Sequence, residues 1–231
     1  MAIYNQYRPQ TFEQVLGQDH ITSILKKQAQ AKSFHHSYLF FGASGTGKTT
    51  TARVLASCLN CYNLDGTGEP CGECQSCKAI RQGRSWDVLE IDGARYRGID
   101  DVKDLAYKAF FSPIGNKKVY IVDECHQLTD PAWNGLLKLL EEPPQHLVII
   151  LCTTDITKIP DTVTSRCELF PFKKLKLEDI KGKIRSIAQA EQIELDPKHA
   201  EFIAQSSGGN MRKAENLFEQ CIIMGKEAVA V

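Results

Sequence analysis

Short apolar runs recur through the first three-quarters of the chain, and segments with helical periodicity separate them. Most of these runs do not alternate strictly between apolar and polar residues, which is typical of strands covered on both faces of a sheet. Because strands that alternate with helices favour parallel pairing, the pattern predicts an α/β fold with a central parallel sheet. The predicted strands are Tyr38–Phe41, Trp86–Ile91, Val119–Val122, Leu147–Cys152 and Glu168–Phe172.

Helical patterns lie between the predicted strands. The segment Pro131–Glu141 carries one apolar stripe, a proline at the first helical position and Asp130 as a candidate cap. The Pro143-Pro144 pair then ends this helix. Two further helices are predicted at Thr49–Leu59 and Ile99–Phe111.

The character of the chain changes after Phe172, where the strand-like runs stop. A short basic connector and three helical stretches follow, so we expect a small helical domain over residues 174–231. Its helices are predicted at Glu178–Gln192, Pro197–Gln205 and Met211–Met224, and Gly225 is predicted to stop the last one.

Composition and charge narrow the range of functions. The chain has 231 residues, and its 28 basic and 28 acidic residues give a formal net charge of zero. This balance excludes a uniformly basic surface and predicts weak binding to nucleic acid by the chain alone. No apolar run reaches about 18 residues and the N-terminus has no secretory signal, so we expect a cytoplasmic protein without a membrane segment.

A phosphate-binding loop is predicted at Gly42–Thr49, whose sequence GASGTGKT matches the pattern G-x-x-x-x-G-K-[ST]. The loop follows a predicted strand and opens a predicted helix, so backbone N–H groups and a helix N-terminus would face the phosphates. Lys48 is predicted to reach the β- and γ-phosphates, and Thr49 to bind Mg²⁺. The residues predicted to hold ATP in this segment are Gly42, Ala43, Ser44, Gly45, Thr46, Gly47, Lys48, Thr49 and Thr50.

An acidic motif ends the third predicted strand, in the sequence VYIVDE. Asp123 would lie at the carboxyl end of that strand and bind Mg²⁺ directly or through water. Glu124 would orient and polarise the attacking water molecule. Together with the phosphate loop, this motif predicts ATP hydrolysis.

Nine cysteines are present, and four of them fall within residues 61–77. An odd, clustered number in a chain without an export signal predicts reduced thiols and a metal site. Cys71, Cys74 and Cys77 supply three ligands, and the fourth is either Cys61 or Cys58. Because Cys58 is in step with the apolar face of its helix, Cys61 is the predicted fourth ligand of a structural Zn²⁺ site, in a module over about residues 58–80. The five other cysteines are predicted to be small core residues.

Beyond these motifs, the chain resembles the ATPase subunits of bacterial DNA polymerase III clamp loaders, which are AAA+ proteins. The resemblance covers essentially the whole chain. It rests on the phosphate loop, the four-cysteine insertion and the sequences YRPQTF, VLGQ, HHSYLF, LLKLLEEPP, TTD, SRC and GNMR. It implies an AAA+ P-loop NTPase with a nucleotide-binding core over residues 1–173, an inserted zinc module and a three-helix lid over residues 174–231.

The resemblance also assigns roles outside the two motifs. Thr154 would contact the γ-phosphate or the attacking water, and Arg166 would be an arginine finger inserted into the ATP site of the next subunit. Arg212, in the first turn of the last predicted helix, would report the γ-phosphate to the lid. The residues bordering adenine and ribose would be Arg8, Pro9, Val15, Leu16 and Gly17.

The implied function is that of an ATP-hydrolysing motor subunit that loads a sliding clamp onto primed DNA during replication. Its partners would be other clamp-loader subunits in a hetero-pentamer, the clamp, and the backbone of primer–template DNA. It would belong to the replication machinery associated with the bacterial nucleoid. We expect the family's third, collar domain to be absent here, so that the isolated chain would be a monomer or a weak dimer.

Two segments depart from the family pattern. The stretch Gly93–Arg97 lies where the family tracks the DNA backbone, and Lys213–Asn216 replaces a more usual Asp-Ala-Leu-Ser. Two alternative functions stay open, a non-hydrolysing structural subunit and a collar-less regulatory ATP-binding protein. The intact phosphate loop argues against the first. The candidate phosphate contacts to DNA are Arg95, Arg97, Lys103 and Lys138.

Overall fold

A five-stranded parallel sheet lies at the centre of the structure, a computed structural model that describes residues 3–95 and 98–224. The strands are β1 (Ser37–Gly42), β2 (Val88–Asp92), β3 (Lys118–Asp123), β4 (Leu147–Thr153) and β5 (Glu168–Phe172). They run in the order β2-β3-β4-β1-β5, and every neighbouring pair is parallel. Parallel strands need crossover connections, which the intervening helices supply.

The sheet order places β4 between β1 and β3. Phe41 near the end of β1 is paired with Thr153 in β4, and Val122 near the end of β3 is paired with Leu151. The carboxyl ends of these three strands therefore meet at one edge of the sheet. In open α/β sheets ligands bind outside this edge, so the fold itself indicates where a site should lie.

Ten α-helices are found within the described ranges, together with two short 3₁₀ turns at Cys125–Gln127 and Ile156–Lys158. The first seven helices are α1 (Ile3–Gln6), α2 (Asp19–Ala31), α3 (Lys48–Asn60), α4 (Gln75–Arg81), α5 (Ile99–Ala109), α6 (Asp130–Glu141) and α7 (Asp161–Thr164). The last three are α8 (Leu177–Ala190), α9 (Pro197–Ser207) and α10 (Met211–Met224).

All five predicted strands are present, but the prediction for β2 is partly wrong. Trp86 was expected to begin this strand, yet its side chain is 87% exposed and the strand begins at Val88. Leu89 and Glu90, which point to opposite faces of the sheet, are also exposed, because both faces of the edge strand β2 are only partly covered. By contrast, every residue of β4 is buried, as the pattern predicted.

The helix predictions are incomplete and too long at some ends. The sequence predictions do not include α1, α2, α4 and α7, and α5 ends at Ala109 instead of Phe111 and α8 at Ala190 instead of Gln192. Gln192 has a φ of +57°, which an α-helix cannot continue through. The predicted stop at Gly225 lies outside the described residues.

Three clusters of buried side chains hold the structure together. One packs α2 and α3 on one face of the sheet, and a second packs α5 and α6 on the other face. The third joins α8, α9 and α10, and it includes Ile3 of the N-terminal helix α1. Among the described residues, no helix is both long and apolar enough to cross a membrane.

The cysteines predicted to be core residues fall into two groups. Cys58, Cys125 and Cys152 are buried in the clusters on the two sheet faces. Cys167 and Cys221 are half-buried and pack at the margins of clusters. The core prediction is therefore right for three of these thiols and only partly right for the other two.

Candidate functional site

The phosphate loop connects β1 to α3 at the carboxyl edge of the sheet. Gly45 and Gly47 have φ values of +71° and +102°, which glycine adopts at little cost. The Lys48 side chain is buried, and its Nζ donates hydrogen bonds to the carbonyl oxygens of Gly42 at 2.8 Å and Ala43 at 2.9 Å. Burial lowers the pKa of Lys48. An anion bound in the loop would act in the opposite direction, because a nearby negative charge favours the charged form of the lysine.

A hydrogen bond of 2.8 Å joins Thr49 Oγ1 to Asp123 Oδ2. It connects the first turn of α3 to the carboxyl end of β3. Hydroxyl and carboxylate oxygens are ligands that Mg²⁺ accepts, with substrate phosphates completing its coordination. The pair therefore fits Mg²⁺ beside the phosphate loop, and its role as a ligand pair stays a prediction.

Glu124 follows Asp123 with φ +47° and ψ +42°, a left-handed conformation that is uncommon outside glycine and often marks a functional site. Its Oε2 accepts a hydrogen bond of 2.9 Å from Thr154 Oγ1 and lies 3.3 Å from His126 Nδ1. The carboxylate is thus held between the ends of β3 and β4. Thr154 was singled out by the sequence, whereas His126 was not.

The hydrogen bonds around His126 fix which of its ring nitrogens carries the proton. Thr153 Oγ1 donates to the carbonyl oxygen of Asp155 at 3.0 Å, so it accepts from His126 Nδ1, which lies 3.0 Å away. His126 Nε2 can then accept from Gln127 Nε2 at 3.0 Å. The Nδ1–H therefore donates to Thr153, and the Glu124 carboxylate lies beside this nitrogen at 3.3 Å.

A cleft opens in front of the phosphate loop, between the sheet edge, the N-terminal segment and the C-terminal helices. The predicted residues that line it are Arg8, Pro9, Val15, Leu16, Ser44, Gly45, Thr46, Gly47, Lys48, Thr49, Thr50, Asp123, Glu124 and Arg212. The predicted residues that do not line it are Gly17, Gly42, Ala43, Thr154 and Arg166. Lining residues that the sequence did not single out are Tyr4, Gln14, Leu175, Lys183, Met211 and Glu215.

Gly17 and Gly42 do not line the cleft but pack closely against residues 172 and 175 next to it. A Cβ atom on Gly42 would lie 2.3 Å from the carbonyl oxygen of Phe172, and one on Gly17 would lie 2.9 Å from Leu175 Cδ2. Gly17 also has a φ of +68°. Gly42 therefore needs glycine for close backbone packing and Gly17 for its left-handed φ, and neither of them lines the cleft.

The C-terminal helices close one side of the cleft. The backbone N–H of Met211 donates to the carbonyl oxygen of Gly45 at 3.0 Å, so α10 begins directly against the phosphate loop. Arg212 follows in the first turn and lines the cleft, with its guanidinium 6.0 Å from the centre of the Tyr4 ring. Arg212 thus lies in the wall of the cleft near the phosphate loop, and its role in sensing a phosphate stays a prediction.

Arg166 lies on the surface, away from the chain's own cleft. Its Nη2 forms an ion pair of 2.8 Å with Glu141, and its Nη1 donates to the carbonyl oxygen of Thr162 at 2.6 Å. The structure does not bring Arg166 together with Lys48. An arginine finger that acts on a neighbouring subunit requires such a separation, and this role stays a prediction.

Four cysteine sulfurs gather at the N-terminal end of α4. The Sγ atoms of Cys61, Cys71, Cys74 and Cys77 all lie within 4.8 Å of one another. Sulfur ligands about 2.3 Å from a tetrahedral Zn²⁺ would be spaced by about 3.8 Å, so this donor set fits the metal. Cys58 is not part of the cluster, and its Sγ lies 3.7 Å from the carbonyl oxygen of Gly68.

One of the four thiols, Cys74, favours the thiolate that a metal needs, whereas burial raises the pKa of Cys61 and Cys77. Although burial opposes it, hydrogen bonds from the backbone amides of Cys77 and Tyr62 lower the pKa of Cys74 to about 6. A thiol with a lowered pKa is a better metal ligand at neutral pH.

We expect the purified chain to carry about one Zn²⁺ ion, and we expect Cys61→Ser to lose most of it. The binding free energy of a structural metal is part of the folding free energy, so this variant should also melt about 5 °C or more below the parent chain. Elemental analysis and thermal unfolding measure the two effects. Cys58→Ser is the matched control, because a hydroxyl there can still donate to Gly68. Equal metal content in both variants would contradict the assignment of Cys61.

The candidate DNA-contacting residues lie on or near two neighbouring helices. Lys103 on α5 and Lys138 on α6 are exposed, and the two helices pack together through the second core cluster. Arg95 is exposed on the turn after β2. Arg97 lies outside the described residues. Contact of these residues with DNA stays a prediction.

Family comparisons match two adjoining regions of the chain. Residues 17–176 match the family described as DNA polymerase III, delta subunit. Residues 179–227 match the family described as DNA polymerase III clamp loader subunit, ATPase lid domain. The boundary between the matches falls where the sheet ends and the C-terminal helices begin.

Several curated proteins are similar over almost the whole chain. The tau subunits of DNA polymerase III from Bacillus subtilis (strain 168) and Escherichia coli (strain K12) are 44% and 41% identical over 100% and 99% of it. The gamma subunit from Buchnera aphidicola subsp. Baizongia pistaciae is 43% identical over 96%. The chain spans 41%, 36% and 60% of the lengths of these three relatives.

Solved structures with the same fold include RuvB of Thermotoga maritima, described as a Holliday junction branch migration motor. It has a TM-score of 0.69 and 19% identity, over 94% of this chain and 66% of that chain. A single-residue variant of the same protein gives a TM-score of 0.70 at the same identity and coverage. This likeness confirms the predicted fold, a core with a central parallel sheet followed by helices, and the family match over residues 179–227 supports the lid.

Proposed function

Because this chain belongs to the family of DNA polymerase III clamp-loader subunits, we propose that it binds and hydrolyses ATP with Mg²⁺ to drive the loading of a sliding clamp onto primed DNA. The observation that carries this proposal is the 2.8 Å hydrogen bond between Thr49 and Asp123, with Glu124 beside it. It joins the phosphate loop to an acidic strand end, and this pairing of groups supports phosphoryl transfer to water.

Each functional residue at the carboxyl edge of the sheet has a distinct role in this mechanism. The loop amides and Lys48 hold the β- and γ-phosphates, while Thr49 and Asp123 would hold Mg²⁺. When bound, Mg²⁺ neutralises charge that develops on the phosphate oxygens. Glu124 accepts a hydrogen bond from the attacking water and orients it toward the γ-phosphate. Thr154 fixes the Glu124 carboxylate through their 2.9 Å hydrogen bond.

Two arginines complete the charge around the γ-phosphate. Arg212, which lines the cleft, is the group of the lid that responds to the phosphate. Arg166, which is held on the surface, acts in the site of a neighbouring subunit. Dividing positive charge between subunits makes hydrolysis depend on assembly, because phosphoryl transfer is catalysed mainly by such charge.

The proposed partners are other clamp-loader subunits, the sliding clamp and the backbone of primer–template DNA. The proposed division of the chain is a nucleotide-binding core over residues 1–173 and a lid over residues 174–231, which the boundary between the two family matches supports. The four-cysteine cluster is proposed to be a structural Zn²⁺ module within the core. The proposed location is the cytoplasm, with the bacterial replication machinery.

We expect Lys48→Ala to weaken ATP binding by roughly ten- to a hundredfold, because it removes a charge-assisted hydrogen bond to the phosphates. Calorimetric titration with ATP and Mg²⁺ measures the binding, and DNA-stimulated ATPase of the reconstituted loader measures turnover. Lys198→Ala, at an exposed lysine of α9, is the matched control and should leave both values unchanged. Unchanged ATP affinity and turnover in Lys48→Ala would refute the proposed function.

A further inference from the structure

Glu215 is a buried acidic residue in the wall of the nucleotide cleft. Its side chain is 6% exposed, and it lines the cleft from α10. Three cations influence it, Lys183 of α8, Arg8 of the N-terminal segment and Arg212 of α10. Among the residues that the structure describes, however, no hydrogen bond or ion pair within 4.0 Å engages its carboxylate.

The three neighbouring cations are engaged elsewhere. Lys183 Nζ donates to the carbonyl oxygen of Tyr7 at 3.0 Å, and Arg8 Nη2 donates to Asn5 Oδ1 at 2.9 Å. The Arg212 guanidinium lies over a tyrosine ring. The three cations therefore offset only part of the cost of burying the Glu215 carboxylate.

Burial of the Glu215 carboxylate makes it a weaker acid. Burial raises the pKa of Glu215 to about 7, although the nearby positive charges of Lys183, Arg8 and Arg212 oppose the shift. The Glu215 oxygens are not fully enclosed by protein, so the acceptor stays open toward the cleft. A ligand that donates a hydrogen bond into the cleft would supply the missing partner.

The position of Glu215 along the cleft indicates which part of a nucleotide it would meet. Helix α10 begins against the phosphate loop, and Arg212 occupies its first turn. Glu215 lies three residues further, about 4.5 Å along the helix axis, on the side of Arg8 and Lys183. A carboxylate repels phosphates, so the group next to it must be a neutral donor from the nucleoside.

We propose that Glu215 is a specificity-determining residue, which accepts a hydrogen bond from a neutral donor of the bound nucleoside. The nucleoside offers two sources of this chemistry, a ribose hydroxyl and the exocyclic amino group of the base. The inference rests on the proposed function in one respect, which is that a nucleoside triphosphate occupies this cleft. It goes beyond that function by assigning selection of the nucleoside to the lid helix.

The test compares the Kd values of ATP with those of analogues that each lack one donor. The probes are 2′-deoxy-ATP, 3′-deoxy-ATP and purine riboside triphosphate, which has no exocyclic amino group. The parent chain should bind one of these analogues about tenfold more weakly than ATP, because a hydrogen bond to a charged partner is lost. Glu215→Leu should bind that analogue and ATP alike, and the analogue concerned identifies the donor.

Two further variants make the result specific. Glu215→Gln keeps a carbonyl acceptor of the same shape and should retain part of the discrimination, even if Glu215→Leu folds poorly. Glu219→Leu removes an acid from the same helix outside the cleft lining and should discriminate like the parent chain.

The outcomes separate this inference from the proposed function. Tight ATP binding with equal affinity for all four nucleotides would overturn the inference and leave the proposed function intact. The same would follow if both Glu215 variants kept the full discrimination of the parent chain. Failure of the folded parent chain to bind any nucleotide would overturn the proposed function, and the inference with it.

Discussion

Replacing Glu124 with Gln is expected to lower the turnover number for ATP hydrolysis by about a hundred- to ten-thousandfold, with little change in the Kd for ATP. The amide has the shape of the carboxylate, and its oxygen can still accept the hydrogen bond from Thr154 that is 2.9 Å long in the structure. It carries no negative charge, however, and is far too weak a base to accept a proton from the attacking water. Steady-state hydrolysis in the reconstituted loader and calorimetric binding of ATP separate the two effects.

Glu142→Gln is the matched control for this experiment. Glu142 is exposed at the end of α6, so the same chemical change there should leave turnover and binding as they are. Parallel loss of ATP affinity and turnover in Glu124→Gln would mean that the residue holds the nucleotide instead of activating water. Full turnover in this variant would remove Glu124 from the mechanism.

The strands of the core could be predicted because their signal is local. Each strand is a short apolar run, and β4 is buried along its whole length as such a run predicts. The sheet order could not be predicted in the same way, because β4 enters between β1 and β3 through pairing between segments far apart in the chain. That order is what brings Thr154, which directly follows β4, beside Glu124.

The two longest helices that the sequence did not predict, α2 and α4, have weaker or interrupted patterns. Helix α2 begins without a capping side chain, after Gln18, which is buried and donates to the carbonyl oxygen of Lys173 at 2.7 Å. Helix α4 has only seven residues and is capped by Cys74, whose sulfur accepts from the backbone of Cys77. Tertiary contacts and the cysteine cluster define these two helices, and neither is visible in local periodicity.

The contiguous motifs of the site were predictable, but the opposite wall of the cleft was not. The phosphate loop and the acidic strand end can each be identified from a few adjacent residues, whose types indicate phosphate and Mg²⁺ binding. Lys183 and Glu215 come from the lid, and only the fold places them in the cleft. A signal did exist for both, since each is a charged residue within a helix whose other inward positions are apolar, such as Ile184 and Phe218.

Replacing Arg166 with Ala is expected to lower ATP hydrolysis by the assembled loader by about a thousandfold or more at the affected sites, as for other arginine fingers. The isolated chain should bind ATP with unchanged Kd, because Arg166 does not line the chain's own cleft. The guanidinium must first leave Glu141, with which it pairs at 2.8 Å on the surface. Exposed ion pairs contribute at most about 1 kcal/mol to stability. Breaking this pair therefore costs far less free energy than the guanidinium contributes when it stabilises the charge on a γ-phosphate.

Two variants distinguish action on a neighbour from a structural effect. Arg185→Ala removes an exposed arginine of the lid and should leave hydrolysis by the assembly unchanged. Glu141→Ala frees Arg166 and should change turnover by less than about fivefold, because the exposed pair that it breaks is weak. Weaker ATP binding by the isolated Arg166→Ala chain would show that the arginine acts within its own subunit. Unaltered hydrolysis by an assembly built with Arg166→Ala would mean that some other cation supplies the charge, since the γ-phosphate would then be stabilised without this guanidinium.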